Sequence, residues 1–319
     1  MELDRIEQLE FQTISKEVMD LLIVVSGYEN RCTFLAHHLP IDPLNKVVFA
    51  FKEKQTEGFR PFNDQYFSTH HFDFHDATGG HGAEVVEKLE SLLENARKDH
   101  LKILVDYSCM TKEWYAAIIN YFVNFDLDAK EIELYFAYTP STYEKPRRKR
   151  FFKKFARTLV TEPIESTGKP VSLVLGLGYD PVQAQELINR IRPAQTFAFY
   201  SDPSIDDRFV KEVEKVNKFL LKDLESDHVI KYPLNDMRAI NLSLKQLCMD
   251  LRLQSQVILA PLGPKPFALA CMLLSARYPD IWVWRVHTGQ NDAYYKWKPY
   301  GKPLICKAVF KTLTEDRWA

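Results

Sequence analysis

No two cysteines stand at CxxC spacing anywhere in the 319 residues. The five that exist, Cys32, Cys109, Cys248, Cys271 and Cys306, are scattered and odd in number. That pattern argues against a disulfide frame or a structural zinc site and for free thiols in a reducing compartment. Long hydrophobic runs are missing too. No stretch approaches the roughly 18 apolar residues of a membrane span. The N-terminal MELDRIEQLEFQTISKE is acidic and has no apolar signal core. A cytoplasmic protein without a membrane partner is expected. The net charge is -1, so there is no global bias toward nucleic acid or anionic lipid. A complete GxGxxG is also lacking. LGLGYDP at 175–181 starts like one, but Pro181 stands where the last glycine belongs, which argues against a classical NAD site. No cofactor and no metal are expected.

What is present is alternation. DLLIVVSGYENR (20–31), NKVVFAFKE (45–53), STHHFDFHD (68–76), LKILVDYS (101–108) and EIELYFAYTP (131–140) read as strands, with helical patterns from Cys32 to Leu39, over 82–100 and over 111–125. The second half repeats the order. VSLVLGLGYDP, QTFAFYSDP, HVIKYPLND, SQVILAPLGPKP and DIWVWRV read as strands, separated by PVQAQELINRI, AINLSLKQLCMDLRL and FALACMLLSARY. Strands alternating with helices of this length predict an α/β fold with mainly parallel sheets. Three matches lie in register about 150 residues apart: SGYE with LGYD, FAF with FAF, and MTKEWYAA with GPKPFALA. They predict two tandem Rossmann-like domains related by internal duplication. The boundary is placed near Gly168, giving residues 1–168 and 169–319, the first ending in a basic linker and the second in an irregular tail with strand-like pieces.

In open parallel sheets, ligands bind beyond the carboxyl ends of the strands, where helix N-termini favour anions. Two polar turns occupy that position in the first half. Gly27-Tyr28-Glu29-Asn30-Arg31 follows the first strand. Asp106-Tyr107-Ser108-Cys109-Met110-Thr111-Lys112 follows the fourth. Glycine lets a ligand approach the backbone, Tyr28 can stack on a base, and Arg31 and Lys112 suit phosphates. Glu29 and Asp106 suit hydroxyls or base amines, and Ser108 or Thr111 can cap the following helix. A salt-bridge cluster among these charges is the competing account. In the second half, Gly178, Tyr179, Asp180 and Lys265 hold the matching positions, and Asp202 ends the second strand, where acidic residues often take ribose hydroxyls.

These turns resemble those of the CRISPR-associated Rossmann-fold (CARF) domains and the related SAVED domains. In them a short polar or glycine turn follows the first strand, and a later strand runs into a Gly-Thr-Lys-like turn. Gly27 to Arg31 match the first turn and Ser108 to Lys112, SCMTK, the second, with Cys109 and Met110 in place of glycines. The resemblance implies a sensor of cyclic oligonucleotides in bacterial antiviral defence, acting through an effector protein partner. The alternative from the residues alone is a hydrolase or nuclease acting on a nucleotide or phosphorylated sugar through Asp106, Ser108, Lys112 and Cys109. Cys109 stands beside a helix N-terminus and a lysine, conditions that lower a thiol pKa.

Two other stretches draw notice. Strand alternation puts His71, Asp73 and His75 on one face, where they could line a ligand or a metal but more often form a polar sheet edge. The glycine turn around His81 could lid the crevice. Arg147 to Arg157, within KPRRKRFFKKFAR, interleaves cations with phenylalanines and could touch a nucleic-acid backbone, though a helix with a solvated basic face is the commoner outcome. The sequence leaves the oligomeric state open.

Overall fold

In the computed structural model, residues 1–94, 98–124, 129–145, 154–158, 168–287 and 297–312 are described, with 154–158 and 286–287 as backbone alone. Leu21–Ser26 form strand β2, and every side chain in it is buried. A strand apolar on both faces belongs in the middle of a parallel sheet covered by helices, and β2 takes that place. Around it lie β3 (Asn45–Phe51), β4 (Asp73–Ala77), β5 (His100–Asp106) and β6 (Glu131–Tyr138), all parallel. Helices α1 (Phe34–His38), α2 (Arg60–Thr69), α3 (Ala83–Leu93) and α4 (Lys112–Asn124) make the connections. Strand β1 (Glu2–Leu9) precedes them.

The second set repeats this pattern. Strand β7 (Lys154–Thr158) is followed by β8 (Val171–Gly176), α5 (Pro181–Ile191), β9 (Gln195–Ser201), α6 (Asp207–Val216), α7 (Lys218–Asp223) and β10 (Val229–Tyr232). Then come α8 (Met237–Gln254), β11 (Gln256–Pro261), α9 (Lys265–Arg277) and β12 (Trp282–His287). Helix α9 is buried from Pro266 to Ala276, as its nearly unbroken apolar run requires.

Both sheets are mainly parallel and Rossmann-like. The first runs β1-β13-β6-β5-β2-β3-β4 and the second β10-β9-β8-β11-β12-β7, where β13 is Leu304–Lys311. In each, the first parallel strand lies between the second and the fourth, so β2 and β8 hold equivalent places, as the duplication requires. An antiparallel strand flanks the last parallel strand of each sheet: β13 on β6 and β7 on β12.

The compact units do not divide at Gly168. One comprises Met1–Thr142 with Tyr294–Ala319, and the other Tyr143–Ala293. The reason lies in the ladders. The tail strand β13 pairs with β6 from Leu304↔Tyr138 to Lys311↔Glu131, and with β1 on its other side. The tail is therefore an interior strand of the first sheet, and the region read as a basic linker contributes β7 to the second.

Three further differences matter for the site. Helix α2, α6 and α7 fall in stretches that carry no helix expectation from the sequence. The stretch read as a strand from Ser68 narrows to Asp73–Ala77 because Ser68 and Thr69 end α2. His71 stands before β4 with φ of 58°, so strand alternation does not align it with Asp73 and His75.

Candidate functional site

Strands β2 and β5 pair directly, Leu21↔Ile103 through Ile23↔Val105. The strand order reverses between them, which is the topological switch point of such sheets. The turns Gly27–Arg31 and Asp106–Lys112 thus leave neighbouring strands at the carboxyl edge of one sheet.

The first turn is clamped from below. Asn63, buried on α2, donates through Nδ2 to the carbonyls of Gly27 (2.8 Å) and Glu29 (2.9 Å). The next residue, Asp64, accepts from Arg60 Nε one helical turn before it (2.7 Å) and from the Ser26 hydroxyl, while Arg60 Nη1 reaches the Phe51 carbonyl. A Cβ at Gly27 would meet the Phe51 ring at 3.1 Å, so a side chain there would have to push that ring aside by a few tenths of an ångström. Tyr28 remains partly exposed, with the Lys54 ammonium 5.4 Å from its ring centroid. Burial pushes the Tyr28 phenol up, and the Glu29 charge adds to that.

Arg31 is turned inward and is only 3% exposed. Its Nε donates to Glu29 (2.6 Å) and its Nη1 to the Thr139 carbonyl at the end of β6 (2.9 Å). Its guanidinium lies over the rings of Tyr138 and Trp297, 5.8 and 5.4 Å from the centroids. The ion pair foreseen as the competing account is therefore present. Burying two charges is costly unless they are paired and hydrogen-bonded, and here both conditions are met.

The second turn is equally ordered. The Ser108 amide donates to Asp106 Oδ1 (3.0 Å), and the Ser108 hydroxyl accepts from the Thr139 amide (2.7 Å). Thr111 Oγ1 accepts from the Trp114 amide (3.3 Å), capping α4. Trp114 donates to the Thr78 carbonyl (2.9 Å) and stacks on Phe51 at 4.3 Å. A Cβ at Gly79 would touch Phe51 and Thr111, so the glycine turn after β4 borders the α4 N-terminus. Thr111 and Lys112 are partly exposed.

Cys109 departs from expectation. Burial raises its pKa well above the usual thiol value, and a hydrogen bond with Cys32 adds to this; the Arg31 charge opposes but does not prevail. The thiol is protonated at neutral pH, the reverse of the lowered pKa that its place beside a helix and a lysine suggests. Desolvation wins because the side chain faces the interior. All five cysteines are free and buried.

The matching positions in the second unit are built differently. A Cβ at Gly178 would lie 2.5 Å from the Leu262 carbonyl oxygen, and one at Gly263 2.4 Å from that of Leu177. The two turns press backbone on backbone. Asp180 accepts from the amides of Val182 (3.0 Å) and Gln183 (3.3 Å) and caps α5. Tyr179 lies near-parallel to Phe209 at 6.2 Å. Asp202 pairs with Lys231 at 2.8 Å. Lys265 opens α9 and is partly exposed.

Among the described residues, one group brings metal-type donor atoms within 4.8 Å of one another: Glu225, Asp227 and His228, the two carboxylates exposed. Of the basic stretch Arg147–Arg157, residues 147–153 lie outside the described residues and 154–157 are described as backbone alone. No described helix is long and apolar enough to cross a membrane.

Sequence reasoning missed Arg60, Asn63 and Asp64, which hold the first turn, and Thr139, Tyr138 and Trp297, which enclose Arg31. Pro61, in the first turn of α2, was a readable signal for the first group. The second group is joined only by β6 and the returning tail, which local patterns do not reveal. No known protein family matches the chain, and no curated protein matches it in sequence.

Proposed function

We propose that the chain is a binding module for a nucleotide-type ligand, seated at the switch point of the first unit. The observation that carries this reading is the direct pairing of β2 with β5, which sets two polar turns side by side at a sheet's carboxyl edge. Tyr28 offers a ring for a base, with Lys54 beside it. Lys112 and the first turn of α4 offer positive charge to a phosphate. Arg31, Glu29, Asp106 and Ser108 fix the shape of the walls. A role as a sensor of a CARF-like kind, for a cyclic oligonucleotide in antiviral defence and through a partner protein, follows from the turn resemblance. The five free cysteines support a reducing, cytoplasmic setting.

The buried, protonated Cys109 supports binding over covalent turnover, because a thiolate is the reactive form. The test is mass spectrometry of the small molecule that co-purifies, followed by incubation of that molecule with the protein. Recovery intact supports a sensor, whereas consumption points to an enzyme. Lys112→Ala should weaken its binding by about 1.5–3 kcal/mol, the range for a hydrogen bond to a charged group, with little change in melting temperature. Lower stability at unchanged affinity would assign Lys112 to the helix end alone.

A further inference from the structure

Arg31 is the most enclosed cation among the turns of the first switch point, yet its hydrogen bonding is incomplete. Nε serves Glu29 and Nη1 serves Thr139. Among the described residues, Nη2 has no hydrogen-bond partner. The Thr139 side chain is 0% exposed, and its Oγ1 has no partner among them either. These groups are neighbours, since Arg31 already binds the Thr139 carbonyl. Buried polar groups are normally satisfied, and leaving the Thr139 hydroxyl open beside a guanidinium with a spare donor is costly. Both can donate, so the group that completes them is an acceptor.

Above the guanidinium lies Trp297, and Trp297 belongs to a short crossing segment. Thr142 donates to the Lys298 carbonyl (2.9 Å), Tyr300 donates to the Pro140 carbonyl (2.9 Å), and Ser141 bridges Pro299. Among the described residues, the regular pairing of this segment is that single bridge. Lys298, Tyr300, Gly301 and Lys302 are exposed. Gly301 has φ of 70° and no atom within 4 Å of its would-be Cβ, a conformation glycine adopts freely. Exposed residues and hydrogen bonds at the surface mark a segment that opens locally at low cost. Strand β13 begins at Leu304, so the segment is anchored at that end by a sheet.

We propose that Trp297–Tyr300 is a strap closed over an oxyanion subsite made by Arg31 and Thr139, with Glu29 holding the guanidinium until a phosphate group of the ligand arrives. This rests on the nucleotide reading above and adds its gate. Glu29 already balances the Arg31 charge. A phosphate competes with that carboxylate for the guanidinium and takes the open Nη2 and Thr139 donors, which Glu29 does not fill. Entry requires the strap to lift, so binding at the switch point changes the surface formed by the tail. That change is what a partner protein could read.

The test uses the full chain and inorganic pyrophosphate, with binding followed by calorimetry. Trp297→Ala removes the cover and should bind pyrophosphate roughly tenfold tighter than wild type, because the open form no longer has to be selected. Adding Thr139→Val to that variant should cancel most of the gain. On its own, Thr139→Val should leave the melting temperature unchanged or higher, since its hydroxyl loses no partner. In the wild type, saturating pyrophosphate should speed hydrogen exchange at the Thr142 and Tyr300 amides, a measurement that stands even if Trp297→Ala fails to fold. Equal affinity across the variants, or unchanged exchange, overturns the strap. If the co-purified nucleotide still depends on Lys112 in that case, the binding site stands without its gate. Tighter pyrophosphate binding by Trp297→Ala, with no nucleotide bound by any form, would keep the subsite and sink the nucleotide reading.

Discussion

The two switch points share a strand order and differ in almost everything else. In the first unit, α4 begins six residues after β5 ends, and the intervening turn carries Ser108, Cys109 and Thr111. In the second, α9 begins four residues after β11 ends. The shorter turn brings Gly263 against Leu177 and Gly178 against Leu262, main chain to main chain. Both units keep a partly exposed tyrosine and lysine, Tyr28 and Lys112 in the first and Tyr179 and Lys265 in the second, but where the first adds a buried ion pair the second presses backbone on backbone. Duplicated topology therefore did not duplicate the two turns, whose length and residues set how closely the backbone packs in each copy.

The contrast is broken most directly at the glycines. Gly263→Ala puts a methyl group 2.4 Å from a carbonyl oxygen that neither turn can easily move. A loss of about 3 kcal/mol is expected, at the upper end of overpacking costs. Gly80→Ala, in the turn bordering the first site, meets nothing within 4 Å and should change stability by no more than about 0.5 kcal/mol. Urea unfolding of both variants checks the pair. Equal effects would mean that the second switch point is not closed by its backbone.

Alkaline titration sharpens the comparison on a smaller scale. Burial pushes the thiols of Cys306 and Cys248 up to about 12, and that of Cys109 well above its ordinary value. In the unfolded chain such thiols ionise near 8.5. The folded pKa is the raised one, so this stability is complete below about pH 8.5 and is lost as pH rises, because the unfolded state then holds fewer protons. Each thiol contributes a fall of about 1.4 kcal/mol per pH unit in that window. Cys109 and Cys306 lie in the first unit and Cys248 in the second, so both units should weaken between pH 9 and 10. Cys306→Ala should make the first unit's slope shallower. Unfolding midpoints that stay level over that interval would contradict the burial of these groups.

Much of the framework was legible in the sequence because its signals are local. Apolar runs such as Leu21–Val25, and the alternation of strand and helix, report burial and topology directly. The polar residues after β2 and β5 marked the edge that the pairing of those strands brings together. What was not legible depends on partners far along the chain. Arg31 reads as a phosphate ligand or an ion-pair partner from its neighbours, but its bond to the Thr139 carbonyl, 108 positions away, cannot be read from them. The tail looked irregular because β13 has neither strand partner near it in sequence; both lie in the first unit. Cys109 looked activated from its helix end because desolvation cannot be read from spacing.

Asp180 offers the finest distinction between the copies. The sequence places it beside Glu29 as a ligand residue, while the structure places its carboxylate on the amides of Val182 and Gln183 as the cap of α5. A cap needs an acceptor and not a charge, so Asp180→Asn should cost little and Asp180→Ala about 1 kcal/mol. Neither change should alter nucleotide binding at the first unit. A ligand carboxylate would behave in the opposite way: Asn would weaken binding as Ala does, while stability held. Thermal unfolding and calorimetry on the same two variants separate these outcomes. Loss of nucleotide affinity in Asp180→Asn at wild-type stability would show that the second switch point binds ligand after all, and the difference drawn between the two units would fail at that residue.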